Sequence, residues 1–378
     1  MMRYFKEKLS MNKIFLGLMS GTSLDAVDAV AISFDSDEQM KLLGTHSLAL
    51  TAQLRADILA LTQPSDNEIE SLGRVDVEIA QLFAQCANQL REKLQLNATQ
   101  ITAIGSHGQT IRHRPYLTPP FTLQIADPNI IAELTGITVV ADFRRRDVAA
   151  GGQGAPLVPA FHEALLHSDA VNRVVLNLGG MANITVLPAD TTQIVYGYDT
   201  GPANVLMDAW CWRHLQQSYD KNGVWAASGN IIPSLLEQLL LHPFFAKKAP
   251  KSTGREDFHL DWLLPYIKAE YQAQDVQATL LELTAISVAQ EINALAFAEG
   301  ELFLCGGGAY NHALWQSLAQ KLPNYRLLST ETIAIAPTWI EATAFAWLAK
   351  QTMEGLSGNL PAVTGAAGRR ILGGIYQA

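Results

Sequence analysis

The fold is decided at residues 16–28, whose sequence is LGLMSGTSLDAVD. An apolar run, a few small or polar residues and a second apolar run predict a strand, a tight turn and a second strand. Gly21 lets the backbone approach a ligand closely, and the turn's N–H groups with the Thr22 and Ser23 hydroxyls form a concave set of donors suited to phosphate oxygens. A plain hairpin turn rich in small residues explains the pattern equally well.

Similar runs recur outward from this hairpin and alternate with helical patterns. The predicted strands cover residues 14–19, 29–34, 101–106, 137–143, 174–178, 184–187 and 302–305. Apolar residues at three- and four-residue steps predict helices over 68–96 and 275–299. Strands and helices mixed in this way predict an α/β protein.

Length and composition narrow the class of protein. A chain of 378 residues exceeds the usual size of one core, so two domains with a cleft between them are expected. The net charge of −9 disfavours binding to nucleic acid or to an anionic membrane. The apolar run after the basic first segment is too short for a signal peptide, and no stretch reaches the roughly 18 apolar residues of a membrane helix. We therefore expect a cytoplasmic protein.

Cysteine usage excludes two further classes. Cys86, Cys211 and Cys305 are scattered, without a CxxC pair or histidines at zinc-ligand spacing. A structural zinc site and a disulfide framework are therefore not expected.

The Gly/Pro-rich segment 149–156, AAGGQGAP, is the strongest break in the pattern and predicts a domain boundary. We predict a first domain of residues 1–148 with the C-terminal segment 345–378, and a second domain of 149–344. In the second half, the first predicted strand ends at Gly179-Gly180. In the first half, the first predicted strand ends in a similar way, at the 20–23 turn. Two similar halves are therefore expected.

Two motifs of the second half carry candidate chemistry. Asp199, in the segment GYDTGPAN of residues 197–204, is predicted to lie at a strand-to-helix turn. It is either a helix N-cap, which the sequence alone favours, or a carboxylate acting as general base or metal ligand. The strand at 302–305 runs into Gly306–Gly308, which either let a flat ligand lie on bare backbone or simply pack tightly.

The first half offers a polar set at or beyond three strand ends, in GSHGQT (105–110), QIADP (124–128) and ADFRRRD (141–147). Ligands collect at the carboxyl ends of strands in open α/β sheets, so these groups are predicted to face one cleft. The alternatives are a buried, hydrogen-bonded His107, a turn-forming Asp127 and solvated arginines. Strand alternation predicts Arg144 and Arg146 on one side and Arg145 on the other.

One carboxylate interrupts the apolar helical segment 337–348, and this is Glu341. It is either a partner of the helix dipole in the first turn or an acceptor for a polar ligand.

Taken together, these motifs resemble the anhydro-N-acetylmuramic acid kinase family over nearly the whole chain. The resemblance rests on MSGTSLD (19–25), GSHGQT (105–110), ADFRRRD (141–147), GGQGAP (151–156), YDTGP (198–202), KSTGRE (251–256) and CGGG (305–308). It implies the two-domain actin-like ATPase fold shared by actin, sugar kinases and the Hsp70 ATPase, with ATP in the interdomain cleft. It also implies an ATP- and Mg²⁺-dependent opening of 1,6-anhydro-N-acetylmuramate that yields N-acetylmuramate 6-phosphate and ADP in peptidoglycan recycling.

The resemblance further assigns roles to residues. Asp199 is implied as the base that activates water, and Arg146 as the partner of the lactyl carboxylate. The implied sugar contacts are His107, Gln109, Asp127, Arg146 and Glu341. The implied ATP contacts are Gly21, Thr22, Ser23, Leu24, Asp25, Ala26, Val27, Asp28, Gly180, Gly201, Gly306, Gly307, Gly308 and Asn311. A homodimer is implied as well.

The sequence departs from the family pattern at Ala26 and Ala203, where glycine is usual. In addition, Leu18 stands where the wider superfamily has a metal-supporting aspartate, so no Mg²⁺ ligand is assigned. Two other functions stay open on the sequence: an actin-fold sugar sensor or ATP-driven interaction protein without catalysis, and a glycoside hydrolase with a second carboxylate paired to Asp199.

Overall fold

The structure is a computed structural model that describes residues 12–21 and 24–378. The described chain forms two compact units. The first contains the residues up to Phe161 together with Trp339–Ala378, and the second is His162–Thr338. These divisions differ from the predicted boundaries at 148/149 and 344/345.

The difference arises because the Gly/Pro-rich segment packs within the first unit. The Gln153 N–H donates to the Thr364 carbonyl at 2.7 Å, and the Ala367 N–H donates to the Ala150 carbonyl at 2.8 Å. Leu157 is buried in the same apolar cluster as Phe15. The segment is therefore a tight crossing inside the first unit and not a linker.

The first unit contains a six-stranded sheet in the order β13-β7-β4-β1-β2-β3. Its strands are β1 Lys13–Ser20, β2 Ala26–Phe34, β3 Met40–Ala49, β4 Ile101–Ser106, β7 Val139–Ala141 and β13 Gly374–Tyr376. β1, β2 and β3 form an antiparallel meander, whereas β4 is parallel to β1 and β7 is parallel to β4. A separate antiparallel pair consists of β5 Gln109–Arg114 and β6 Phe121–Ile125.

The second unit repeats this topology in a five-stranded sheet of order β10-β9-β8-β11-β12. Its strands are β8 Arg173–Leu178, β9 Met181–Leu187, β10 Tyr196–Pro202, β11 Gly300–Cys305 and β12 Tyr325–Ser329. Again three strands form an antiparallel meander, and β11 and β12 continue parallel to β8. The expected duplication and the α/β class are confirmed.

Helices flank both sheets. Those of the first unit are α1 Ala52–Leu61, α2 Glu68–Lys93, α3 Pro128–Thr135, α4 Phe143–Ala149, α13 Ile340–Met353 and α14 Pro361–Thr364, and α5 Val158–Leu166 contains the division between the units. Those of the second unit are α6 Asn204–Leu215, α7 Val224–Ala227, α8 Pro233–Leu240, α9 Pro243–Ala246, α10 Leu260–Leu263, α11 Ala273–Asn293 and α12 His312–Lys321. Short 3₁₀ turns lie at Ala98–Gln100, Lys221–Gly223, Leu264–Tyr266, Gly307–Tyr310, Thr330–Ile333 and Pro337–Trp339. None of these described helices has the length and apolarity to cross a bilayer.

Periodicity explains the long helices. α2 buries Val75, Ile79, Phe83, Cys86 and Leu90, which recur at three- and four-residue steps, and it corresponds to the predicted helix at 68–96. The predicted helix at 275–299 is observed as α11. By contrast, the predicted strand at 137–143 is too long, because Asp142 takes a left-handed conformation and α4 starts at Phe143.

Glycines set the distance between α13 and the first sheet. A Cβ at Gly17 would overlap the Ala342 carbonyl oxygen, and one at Gly105 would overlap the Phe345 carbonyl oxygen. The helix backbone therefore lies directly on β1 and β4, and this close approach sets the position of Glu341 in the first turn of α13.

Candidate active site

The β1–β2 turn is described only in part, since Thr22 and Ser23 lie outside the described residues. The Leu24 N–H donates to the Gly21 carbonyl at 3.2 Å. Leu24 is buried with φ of 57°, a conformation that costs energy for a branched side chain and that clusters at ligand-binding turns. Asp25 is exposed, 3.8 Å from the Arg55 guanidinium. Phosphate binding by this turn stays a prediction.

The first residues of β2 continue from the turn in regular antiparallel pairing. Ala26 pairs with Ala49 and Val27 with Leu48, so the methyl of Ala26 lies in an ordinary strand position. Asp28 accepts a hydrogen bond from the Ser47 hydroxyl at 2.8 Å. Burial raises the pKa of this carboxyl group, although the Ser47 bond offsets part of the rise.

The buried His107 and the half-buried Arg144 form the centre of the polar set in the first unit. His107 Nε2 accepts hydrogen bonds from Arg144 Nε at 3.0 Å and Nη2 at 2.8 Å. Burial, reinforced by the nearby guanidinium, holds the pKa of His107 well below its usual range, so the imidazole is neutral and carries its proton on Nδ1. Its ring packs 4.6 Å from the Phe345 ring. His107 is therefore buried and hydrogen-bonded through Nε2, but its buried Nδ1 has no hydrogen-bond partner in the described chain, so the alternative of a satisfied buried histidine is met at one nitrogen only.

Of the three consecutive arginines 144–146, Arg144 is the one that hydrogen-bonds to His107. Its Nη1 also donates to the Gly154 carbonyl at 2.8 Å. Burial lowers the pKa of Arg144 to about 10, while Glu341 and Asp147 oppose this decrease. The guanidinium therefore remains charged at neutral pH and interacts electrostatically with Glu341.

The predicted placement of Arg144 and Arg146 on the same side of a strand is wrong. Residues 143–149 form a helix and not a strand, so the two side chains point in different directions. Arg146 is exposed, and its side chain makes no hydrogen bond or ion pair within the described residues. Arg145 forms a salt bridge with Asp142 at 3.0 Å.

Gln109 is the first residue of β5, and Asp127 lies two residues after the end of β6. Gln109 is buried and pairs with Ile125, and its Oε1 has no hydrogen-bond partner in the described chain. Asp127 caps α3, because its Oδ1 accepts from the Asn129 N–H at 2.8 Å. Asp127 is therefore the N-cap of a helix rather than a turn former, and a sugar contact remains a prediction.

Asp199 lies inside β10, on a β-bulge. It pairs with Asn183 and Gly201 pairs with Ala182, which leaves Thr200 as the extra residue. Bulges bend a strand and redirect its side chains, and they are frequent next to active sites. The helix that follows starts at Asn204 with Ala203 as its N-cap, so the favoured cap interpretation of Asp199 is wrong.

The Asp199 carboxylate is held by a loop that follows α9. Its Oδ2 accepts hydrogen bonds from the Ser252 hydroxyl and from the Thr253 N–H, both at 3.0 Å. Burial raises the pKa of Asp199, the two donors lower it in part, and Glu256 adds to the rise. Since no described residue donates to Oδ1, one carboxylate oxygen is fixed and the other is available for a proton.

The glycines at the end of β11 combine tight packing with an open face. Gly306 has φ of 78°, and a Cβ there would lie 2.5 Å from Asn177 Oδ1. A Cβ at Gly308 would lie 2.7 Å from the Leu178 Cβ, whereas Gly307 has no atom within 4 Å of that position. Asn311 caps α12 through a 3.0 Å bond from the Leu314 N–H. Packing therefore explains two of the three glycines, and Gly307 leaves backbone uncovered.

Two more glycines of the second unit are fixed by their neighbours. The Gly180 carbonyl accepts from the Ala203 and Val205 N–H groups, at 3.0 and 3.1 Å. Gly201 has φ of 148°, and a Cβ there would lie 2.9 Å from the Phe245 ring.

Comparison with known proteins decides the family. The family model described as anhydro-N-acetylmuramic acid kinase matches residues 13–378. The chain belongs to this family. A protein of Acinetobacter baylyi with that name is 53% identical over 378 residues, covering 97% of this chain and 99% of its own. One of Shewanella oneidensis with the same name is 52% identical over 371 residues, covering 97% and 100%. Among solved structures, a ROK hexokinase from Thermus thermophilus matches with a TM-score of 0.39 and 13% identity over 89% of this chain and 99% of its own.

Sequence reasoning missed the residues that surround Asp199. Lys251, Ser252 and Thr253 contact it directly, and Lys251 is paired with Glu291 of α11. The only available signal was that KSTGRE (251–256) belongs to the motifs shared with the family. Nothing in the local pattern connects that motif to a strand some fifty residues earlier.

The two departures from the family pattern fit the structure. Ala203 has φ of −112°, outside the left-handed region that would require glycine. Ala26 lies in a regular strand pair.

Proposed function

We propose that this chain catalyses the ATP-dependent opening and phosphorylation of 1,6-anhydro-N-acetylmuramate, and so acts as a kinase in peptidoglycan recycling. Membership of the family over residues 13–378 supports the reaction. The observation that carries the mechanism is the half-buried Asp199 carboxylate, with Oδ2 fixed by Ser252 and Thr253. The comparisons do not favour a non-catalytic sensor.

Asp199 is proposed as the general base. Water attacks the anomeric carbon, the bond between that carbon and the bridge oxygen breaks, and the water proton passes to Asp199. The raised pKa of this half-buried carboxylate makes it a stronger base than an exposed aspartate.

Phosphoryl transfer makes the bridge oxygen a better leaving group. O6 forms a bond to the γ-phosphorus while the bond to the β-phosphate oxygen breaks, so the charge that develops on O6 is taken up and ADP leaves. The products are N-acetylmuramate 6-phosphate, ADP and a proton. Such a transfer requires mainly positioning and charge neutralisation.

The polar cluster of the first unit is proposed to bind the sugar. His107, Gln109, Asp127 and Glu341 would supply neutral and anionic hydrogen-bonding groups to the hydroxyls and the acetamido group. Arg146 has an exposed guanidinium without a partner in the described chain, which suits it to the lactyl carboxylate.

ATP is proposed to contact the β1–β2 turn and the glycine turn after β11, through the residues that the family resemblance implies. Mg²⁺ is proposed to arrive with ATP, as the counter-ion of its phosphates. The described residues form no group of three or more His, Cys, Asp or Glu side chains suited to a metal, and no protein ligand is assigned. Homodimer formation and a cytoplasmic location remain predictions.

Product analysis tests this function. The purified protein is incubated with 1,6-anhydro-N-acetylmuramate in the presence and absence of MgATP, and the products are identified by mass spectrometry. We expect the 6-phosphate only with MgATP. Unphosphorylated N-acetylmuramate formed without nucleotide would instead identify a hydrolase. ATP binding without any product would identify a sensor.

A further inference from the structure

We propose that Lys251, held by Glu291, is a positioning residue that sets the orientation of the Asp199 carboxylate. The inference rests on the proposed role of Asp199 as the base. The Lys251 and Glu291 side chains would affect the reaction only by positioning Asp199.

Three consecutive residues of one loop contact Asp199. The Asp199 N–H donates to the Lys251 carbonyl at 3.0 Å. The next two residues, Ser252 and Thr253, supply the donors to Oδ2. The loop therefore binds both the backbone and the side chain of Asp199, and any shift of the loop moves the carboxylate.

A buried ion pair fixes this loop to α11. The Lys251 side chain is 1% exposed, and its Nζ lies 2.6 Å from Glu291 Oε1. The same Nζ lies 4.7 Å from the centre of the Phe244 ring. Burying an ion pair gains little net stability over apolar packing, but it imposes a strict geometry because neither charge tolerates losing its partner. Such a pair suits a loop whose donors must be held in place.

Glu291 also contacts the strand that carries the base. The Tyr198 hydroxyl interacts with the Glu291 carboxylate, and burial together with this carboxylate raises the pKa of Tyr198. Tyr198 and Asp199 are neighbours in β10 and point to opposite faces of the strand. The Glu291 carboxylate thus interacts both with the loop, through Lys251, and with β10, through Tyr198. These are the two segments that meet at Asp199.

The experiment compares variants that disturb this arrangement to different degrees. Lys251→Met leaves the half-buried Glu291 without its cation, so we expect a lower melting temperature. The double variant K251M/E291Q removes both charges and keeps a side-chain oxygen for the Tyr198 hydroxyl. Ser252→Ala removes one Oδ2 donor and leaves the ion pair intact. Lys247→Met is the matched control, because the exposed Lys247 Nζ also lies over the Phe244 ring, at 5.8 Å.

For each variant we measure kcat, the KM for ATP and the dependence of kcat/KM on pH. A folded K251M/E291Q protein is expected to lose ~10-fold or more in kcat with little change in the KM for ATP, because a displaced base affects the chemical step. In S252A and in the double variant, the acid limb of the pH profile should move to higher pH, since lost donors stabilise the charged carboxylate less. K247M should match the wild type.

A folded double variant with wild-type kcat and an unshifted acid limb would show that the ion pair is only structural. If the double variant does not fold, Glu291→Gln, which keeps an oxygen for both Lys251 and Tyr198, takes its place under the same criteria. Asp199→Asn is measured in parallel. Wild-type turnover in Asp199→Asn overturns the role of Asp199 as the base, whereas an inactive Asp199→Asn protein beside a normal K251M/E291Q protein overturns only the role of Lys251. The proposed function itself fails only if the wild-type protein forms no 6-phosphate with MgATP.

Discussion

β3 and β10 occupy the same place in two sheets of the same topology, and only β10 holds a candidate base. β3 is mostly half-buried, and the bulge in its pairing with β2 falls beside Gly44, in the middle of the strand. β10 is mostly buried, and its bulge falls at Asp199, near the end that leads into α6.

The comparison also shows where the catalytic surroundings come from. In the first unit the chain passes from β3 to β4 through α1, α2 and one 3₁₀ turn. In the second unit the corresponding connection, from β10 to β11, contains the additional short helices α7–α10 and the loop with Lys251. The repeated sheet therefore supplies a scaffold, and the segment inserted between its third and fourth strands supplies the groups that hold Asp199.

Replacing the base should have the largest effect. Asp199→Asn is expected to lower kcat at least ~10²-fold, because general-base catalysis is worth ~10²–10⁴. ATP binding measured by calorimetry should be unchanged, since the fold is retained. Asp190→Asn is the control, because Asp190 is an exposed aspartate of the same unit. A D199N enzyme within a few-fold of wild-type turnover would remove the functional difference between β10 and β3.

The two bulges can be compared directly with a pair of glycine substitutions. Gly201→Ala places a methyl 2.9 Å from the Phe245 ring at a φ of 148°, so we expect a loss of about 1–3 kcal/mol in stability and reduced turnover. Gly44→Ala meets only the flexible end of Leu94, at 2.8 Å, and should cost less with no loss of kcat. Urea unfolding and steady-state kinetics measure both. Equal costs in the two strands would mean that the bulge of β10 is no more constrained than that of β3.

The raised pKa of Asp199 predicts a gain of stability in an inactive variant. The folded state binds the proton of the Asp199 carboxyl group more tightly than the unfolded state does. The contribution of this group to the free energy of unfolding is therefore fully present below its unfolded pKa and is lost as the pH rises through its folded pKa. At neutral pH, D199N should therefore melt at a higher temperature than the wild type, and the difference should shrink as the pH falls toward 3.8. A difference that does not change with pH would contradict the raised pKa.

Restoring the usual glycine at position 203 should have the smallest effect. Ala203 has a negative φ, so Ala203→Gly mainly increases the entropy of the unfolded chain and should cost about 0.4–1 kcal/mol. Thermal unfolding measures this loss of stability, and kcat should match that of the wild type. A large increase in kcat would indicate that the methyl hinders ligand binding.

Many strands and helices could be predicted from the sequence, because burial of one face requires apolar residues at regular intervals. The apolar runs at 174–178 and 184–187 and the long periodic helix α2 are local signals. The 137–143 prediction failed because a left-handed residue, Asp142, ends the strand within an apolar context. That error also produced the wrong arrangement of Arg144 and Arg146.

The site was less accessible to sequence reasoning. Asp199 was identified as a candidate, but the pattern favoured a helix cap, since a bulge has no sequence period. Its partners Ser252 and Thr253 lie 53 and 54 residues further along the chain, and only the fold brings them together. His107 and Arg144 were both named, but their mutual hydrogen bonds depend on a helix start that the sequence pattern did not show.

Isotope labelling tests the central claim, that a carboxylate on the third strand of the second sheet directs water to the anomeric carbon. The reaction is run in ¹⁸O-water with MgATP, and the 6-phosphate product is analysed by mass spectrometry. We predict one ¹⁸O atom at the anomeric hydroxyl and none in the bond between O6 and phosphorus. Product without label at the anomeric position would contradict water attack and the role of Asp199 as its base.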